Sequence, residues 1–99
     1  MSEIPELLLE APAPIGSIAW RQHTRIGGTI RSMRVQPWAD VAALECLVID
    51  DTGGVLLVFL GRRAVAGIEL GRHIVAEGTV GALRGYLAIL NPVFELIAH

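Results

Sequence analysis

Cysteine and aromatic rings are scarce in this sequence and lysine is absent, and each shortage narrows what the chain can be. One cysteine among 99 residues, Cys46, cannot close an internal disulfide. The fold must hold without covalent cross-links, as intracellular proteins do, and Cys46 reads as a small core hydrophobe. No apolar run approaches the ~20 residues that a membrane span requires. The longest charge-free stretches, such as 53–61, are strand-sized. Glu3, Glu6 and Glu10 stand where a secretory signal would carry a basic start and a long apolar run. A cytoplasmic location without membrane contact is the expectation.

Catalytic groupings are equally sparse. His23, His73 and His99 are scattered, and no Cys/His or His/carboxylate pair has metal-ligand spacing. Asp50 and Asp51 are adjacent, so their side chains diverge at a strand end, and turn chemistry explains both. Cys46 lies within an apolar strand with no motif around it. No glycine-rich loop precedes a helix. The chain therefore reads as a non-catalytic module that uses no metal or cofactor.

What is present is apolar. Hydrophobic residues make up 53% and charged residues 18%, the balance of one packed domain rather than a disordered chain. Net charge is −2, whereas a dedicated nucleic-acid binder is usually basic. The sign is unevenly spread, however. Arg21, Arg25, Arg31 and Arg34 share a segment with no acid, and Arg62, Arg63 and Arg72 form a second group. All eight basic residues are arginine, the better group for bidentate phosphate contacts and for stacking on bases.

Two unequal parts follow. Residues 1–22 are an entry segment in which Pro5 starts a short helix that Pro12 and Pro14 stop. Ile15, Ile18 and Trp20 then pack over one end of a second part, 23–99. The second part divides into strands. Residues 25–35 form strand one, bent at Gly27 and Gly28, and 36–41 form a loop containing Pro37 and Trp38. Strand two is 43–49, and Asp50-Asp51-Thr52-Gly53-Gly54 makes a tight turn into strand three, 55–60. A stretch at 61–70 has room for only one or two capping turns. Strand four spans 72–80, a turn spans 81–84 and strand five spans 85–90. Asn91-Pro92 breaks the ladder, and 93–97 extends the last strand after a bulge.

This order of elements resembles the oligonucleotide/oligosaccharide-binding barrel, the OB-fold. The residues that carry the resemblance are Asp50-Asp51-Thr52-Gly53, an apolar strand ending at Phe59, and Leu60-Gly61-Arg62. Glu77-Gly78-Thr79-Val80, Arg84-Gly85-Tyr86-Leu87 and Ile89-Leu90-Asn91-Pro92-Val93-Phe94 complete the set. The pattern is similar to the tRNA-anticodon-type OB domain and to the single-strand-binding wedge domain of bacterial branch-migration helicases. It looks most like short stand-alone bacterial OB-fold proteins. The resemblance covers roughly residues 24–97 and rests on order and spacing rather than on any one motif. No Gly-x-x-x-x-Gly-Lys-Ser/Thr loop is present, so it includes no ATP motor.

The resemblance implies an all-β, five-stranded Greek-key barrel, which the short helical N-terminal segment read from Pro5 precedes. It also implies a ligand across strands two and three, flanked by the loops after strands one and four. Stacking needs rings and phosphates need cations. The candidates are Arg31, Arg34 and Trp38, then Phe59, Arg62 and Arg63, then Arg84 and Tyr86. Strands two and three do not alternate, however, and are apolar on both faces. Two readings stand together. One is binding of single-stranded DNA or RNA, with an accessory role in repair or recombination. The other is a protein-interaction or homodimerisation module using the outer apolar face of strands two and three.

Overall fold

A computed structural model describes residues 11–98. They form β1 (His23–Trp38), β2 (Val41–Ile49), β3 (Gly54–Leu60), β4 (His73–Leu83), β5 (Tyr86–Leu90) and β6 (Val93–Ile97). The protein is all-β. Among the described residues the one helical element is a short 3-10 turn at Ile15–Ser17. The helix expected after Pro5 lies outside the described residues.

The strands pair in the order β1-β2-β3-β5-β4, and β1 also pairs with β4, so five strands close a ring. The β3–β5 pair is parallel and its neighbours in the ring are antiparallel. Closure is achieved by one long strand. β1 lies along β4 through 23–29 and along β2 through 29–38, and Thr29 faces both His73 and Ile49. Gly28 stands at this change of partner. A Cβ there would lie 2.3 Å from the Ile49 carbonyl oxygen, so only glycine permits the approach. A bulge follows at once, with Arg31 the unpaired residue between Ile30 and Ser32.

Inward side chains alternate with outward ones as the pleat requires. Ile26, Ile30, Leu44, Cys46, Val48, Val55, Leu57, Phe59, Ile74, Val80 and Ile89 form the main core. Ile15 and Ile18 of the entry segment join it, as does Ile68 from the β3–β4 connection, whereas Trp20 remains exposed. The expected capping turns at 61–70 are irregular turns with no helix. Gly61, Gly67 and Gly71 all have positive φ, which interrupts any helical run.

Two expected loops are shorter than the residue types suggested. Strands β1 and β2 run on through Pro37 and Val41, leaving only Ala39 and Asp40 to turn. Likewise β4 and β5 run to a two-residue turn at Arg84 and Gly85, both with positive φ, the geometry that matches the twist of paired strands. The break at Asn91-Pro92 is as expected. β5 and β6 lie on the same edge of β4, with the register displaced by one residue across the break. Asn91 adopts positive φ there. Its side-chain oxygen accepts the Leu60 N–H at 2.9 Å, and its own N–H donates to the Val58 carbonyl at 2.7 Å.

Asp50 fastens the entry segment to the β2–β3 turn. One carboxylate oxygen accepts the Ile15 N–H at 2.9 Å. The other accepts the N–H groups of Thr52 and Gly53 and the Thr52 hydroxyl. Burial alone would raise this carboxyl. The Ile15, Thr52 and Gly53 donors outweigh it and hold the group at about 2, against an ordinary 3.8. The folded-state value lies below the unfolded one, so the stabilisation is complete above about pH 4 and is lost as pH falls toward 2. Asp50→Asn is therefore expected to lower stability at pH 7 and to flatten the loss between pH 4 and 2. Urea melts across that range would measure it; an unchanged acid limb would assign the acid sensitivity elsewhere.

Candidate functional site

The outer face of β2, β3 and β5 is apolar, as the sequence implied, but most of it is covered, and Leu90 on β5 stays half-exposed. Ala43, Leu56, Val58 and Ala88 form a second, smaller core there, packed against Trp38, Leu47, Leu60 and Leu83. The chain covers its own face. The β1–β2 arm supplies Trp38 and the end of β4 supplies Leu83. Between them remains a groove of about 270 Å³ lined by Trp38, Val58, Gly81, Leu83, Ala88 and Leu90. The long strands account for the cover, because Trp38 and Leu83 stand at the ends of β1 and β4 beside this face.

At the centre of the covered face sits Glu45, 1% exposed. A carboxylate taken out of water requires partners, and Glu45 has three. Arg84 Nη2 donates to Oε1 at 2.5 Å and Arg34 Nε donates to the same oxygen at 3.3 Å. The Trp38 indole N–H donates to Oε2 at 3.0 Å. Burial pushes the Glu45 carboxyl upward, but the Arg84, Trp38 and Arg34 donors prevail and hold it below its usual range. Three of the residues expected to bind a ligand thus come from two hairpins onto one acid.

The remaining candidates are dispersed. Arg31 is exposed at the β1 bulge. Tyr86 is exposed at the start of β5, opposite Leu83. Arg62 and Arg63 are exposed just after β3, and Arg63 borders a second cleft along the arm with Val35, Pro37, Asp40 and Val41. Among the described residues, Arg31, Arg62 and Arg63 form no ion pair. Phe59 does not belong with this group. It points into the core, 6% exposed, and meets Phe94 edge-to-face at 5.6 Å. Its inward position follows from pairing with Leu44, an inward residue of β2. No base can stack on it.

Sequence reasoning missed Glu45. The signal was available: a lone acid inside Ala43-Leu44-Glu45-Cys46-Leu47, at an outward position of an otherwise apolar strand. It also missed two further pairings of arginine. Arg25 forms an ion pair with Glu77, which His23 also approaches at 3.5 Å, and Arg21 lies 4.1 Å from the Trp20 ring centre. Trp20 is thereby an exposed ring with a cation on its face. The one thiol is unlike a nucleophile, since burial raises Cys46 to about 11. Among the described residues no group of three or more His, Cys, Asp or Glu side chains could hold a metal ion. None of the described helices is long and apolar enough to cross a membrane.

Comparison with protein-family models and with curated protein sequences found no match.

Proposed function

We propose that this chain is an OB-fold domain, a five-stranded Greek-key barrel, that binds single-stranded nucleic acid without catalysis. The fold reading draws support from the closed order β1-β2-β3-β5-β4 with β3–β5 as the parallel pair. The functional reading rests on one observation above all. Arg34, Trp38 and Arg84 converge from the two hairpins that flank the outer face of β2 and β3, with Tyr86 exposed beside them. Guanidinium groups suit phosphates, and the rings suit bases of any identity. Arg31, Arg62 and Arg63, exposed outside this cluster, are candidates for further phosphates. The resemblance to the helicase wedge domain suggests an accessory role in DNA repair or recombination, within a bacterial cytoplasm.

Fluorescence anisotropy with labelled single-stranded DNA, single-stranded RNA and duplex tests this reading. Single-strand binding should weaken markedly between about 50 and about 200 mM salt, because each phosphate contact releases a counterion. Arg62→Ala/Arg63→Ala should reduce the salt slope by roughly 1.4, at ~0.7 for each lost contact. Absence of binding at both salt concentrations would defeat the proposal.

The protein-interaction reading is favoured by a different observation. Tyr86, Leu90 and Val93 are all about half-exposed or more, and Leu90 lines the groove. It predicts self-association or complex formation indifferent to salt, and Leu90→Asp should abolish it. Sedimentation across the same salt range separates the two readings.

A further inference from the structure

Glu45 occupies a position that ordinary packing would give to an apolar residue. Its strand neighbours on the outer face are Ala43 and Leu47, and Val58 lies opposite it on β3. The acid costs desolvation there and is retained with three donors from two other elements. Arg34 is its cross-strand partner on β1, Trp38 is held along the arm by its N–H, and Arg84 ties the β4–β5 turn to the face. They are also the groups that a polynucleotide would use. Arg34 and Arg84 contribute two positive charges and Glu45 removes one, leaving a local net charge of +1. Both guanidinium groups point a nitrogen at the same carboxylate oxygen, although their side chains remain 57% and 46% exposed. Beside Trp38, the surface on which a base would lie is narrowed to the groove against Leu83, with Leu56, Val58 and Ala88 all buried.

We propose that Glu45 is a latch. Its carboxylate ties the β4–β5 turn to the β1–β2 hairpin through Arg84 and competes with nucleic-acid phosphates for Arg34 and Arg84. The proposal rests on the nucleic-acid reading and concerns the regulation of that same face. A phosphate that takes Arg84 from Glu45 frees the turn, which lifts Leu83 from the groove it shares with Trp38 and opens that ring to water. Binding and opening are then one event, and the affinity of the native protein is reduced by the share of time the latch is shut. Glu45→Gln preserves size and hydrogen-bond acceptance but removes the charge that two guanidinium groups share.

The decisive experiment compares wild type, Glu45→Gln and Trp38→Phe by anisotropy with a labelled single strand, after thermal melts establish that each is folded. Trp38→Phe retains a ring for stacking but lacks the N–H that reaches Glu45, so it loosens the latch while the carboxylate and its two arginines remain. Freeing two arginines should tighten binding by Glu45→Gln about tenfold at 50 mM salt and steepen the salt slope by up to roughly 1.4. Trp38→Phe should tighten binding by a smaller factor. In a Trp20→Phe background Trp38 is the one remaining indole. Its emission should shift to the red when a single strand binds, and should already be shifted in free Glu45→Gln. Equal or weaker binding by both variants, with wild type still binding, would overturn the latch alone. Failure of wild type and both variants to bind would overturn the nucleic-acid reading and the latch with it. Should Glu45→Gln fail to fold, unchanged binding by Trp38→Phe would decide against the latch.

Discussion

Phe59→Ala is expected to destabilise the protein by about 3–5 kcal/mol, the range for removing a buried phenyl ring. Small domains have only ~5–15 kcal/mol in total, so the unfolded population should rise by orders of magnitude. The physical cause is local. The ring lies among Leu44, Leu57 and other core side chains and packs edge-to-face on Phe94, an arrangement that adds to simple burial. Partial collapse of the closed ring cannot refill the space, because the flanking strands are held by pairing on both sides. Urea unfolding of the variant gives the figure directly. A loss below about 1 kcal/mol, accompanied by loss of nucleic-acid binding, would return Phe59 to the stacking role.

Gly28→Ala should have a comparable effect for the opposite reason. Here the fault is an added atom, placed 2.3 Å from a backbone oxygen of β2 rather than from a movable side-chain end. Relief requires the β1–β2 pair to part at the residue where β1 changes partner, which opens the ring. Overpacking usually costs ~1–3 kcal/mol, and a backbone clash at the closure point should reach or exceed the top of that range. Gly61→Ala is the control: a Cβ there meets nothing within 4 Å, so only the positive φ of 74° opposes it, at about 1 kcal/mol. Chemical denaturation of both variants checks the contrast. Equal stability for the two would show that β1 can bend without the close approach at Gly28.

The contrast between these glycines shows how far residue types can be read without coordinates. Gly27-Gly28 marks a bend because glycine in a strand has few other uses. Asp50-Asp51-Thr52-Gly53 marks a turn because aspartate and glycine satisfy and permit its backbone. Asn91-Pro92 marks a break because Pro92 has no N–H to offer a ladder. These are local signals, decided within a few residues. The hairpin ends were misjudged because Pro37, Trp38, Ala82 and Leu83 carry no local instruction to continue a strand. What extends them is the surface they lie on, made from strands elsewhere in the chain.

The candidate site divides along the same line. Arginines and rings at strand ends were legible as residue types, yet Phe59 points inward and Trp38 lies down on the face. Strands two and three are apolar on both sides, so alternation gave no register. Pairing with β2 and β5 decides that Leu57 and Phe59 face the core while Leu56 and Val58 face out.

The sequence by itself determined an all-β chain, the order of its strands, the Asp50–Gly54 turn and the Asn91-Pro92 break that makes a sixth strand of 93–97, because strand propensity, glycine freedom and proline's missing donor act locally. Only the tertiary structure decided that the outer face is covered and that Arg34, Trp38 and Arg84 share one acid. Those contacts join residues 7 to 39 apart in the chain, and no local preference can bring them together before the ring closes.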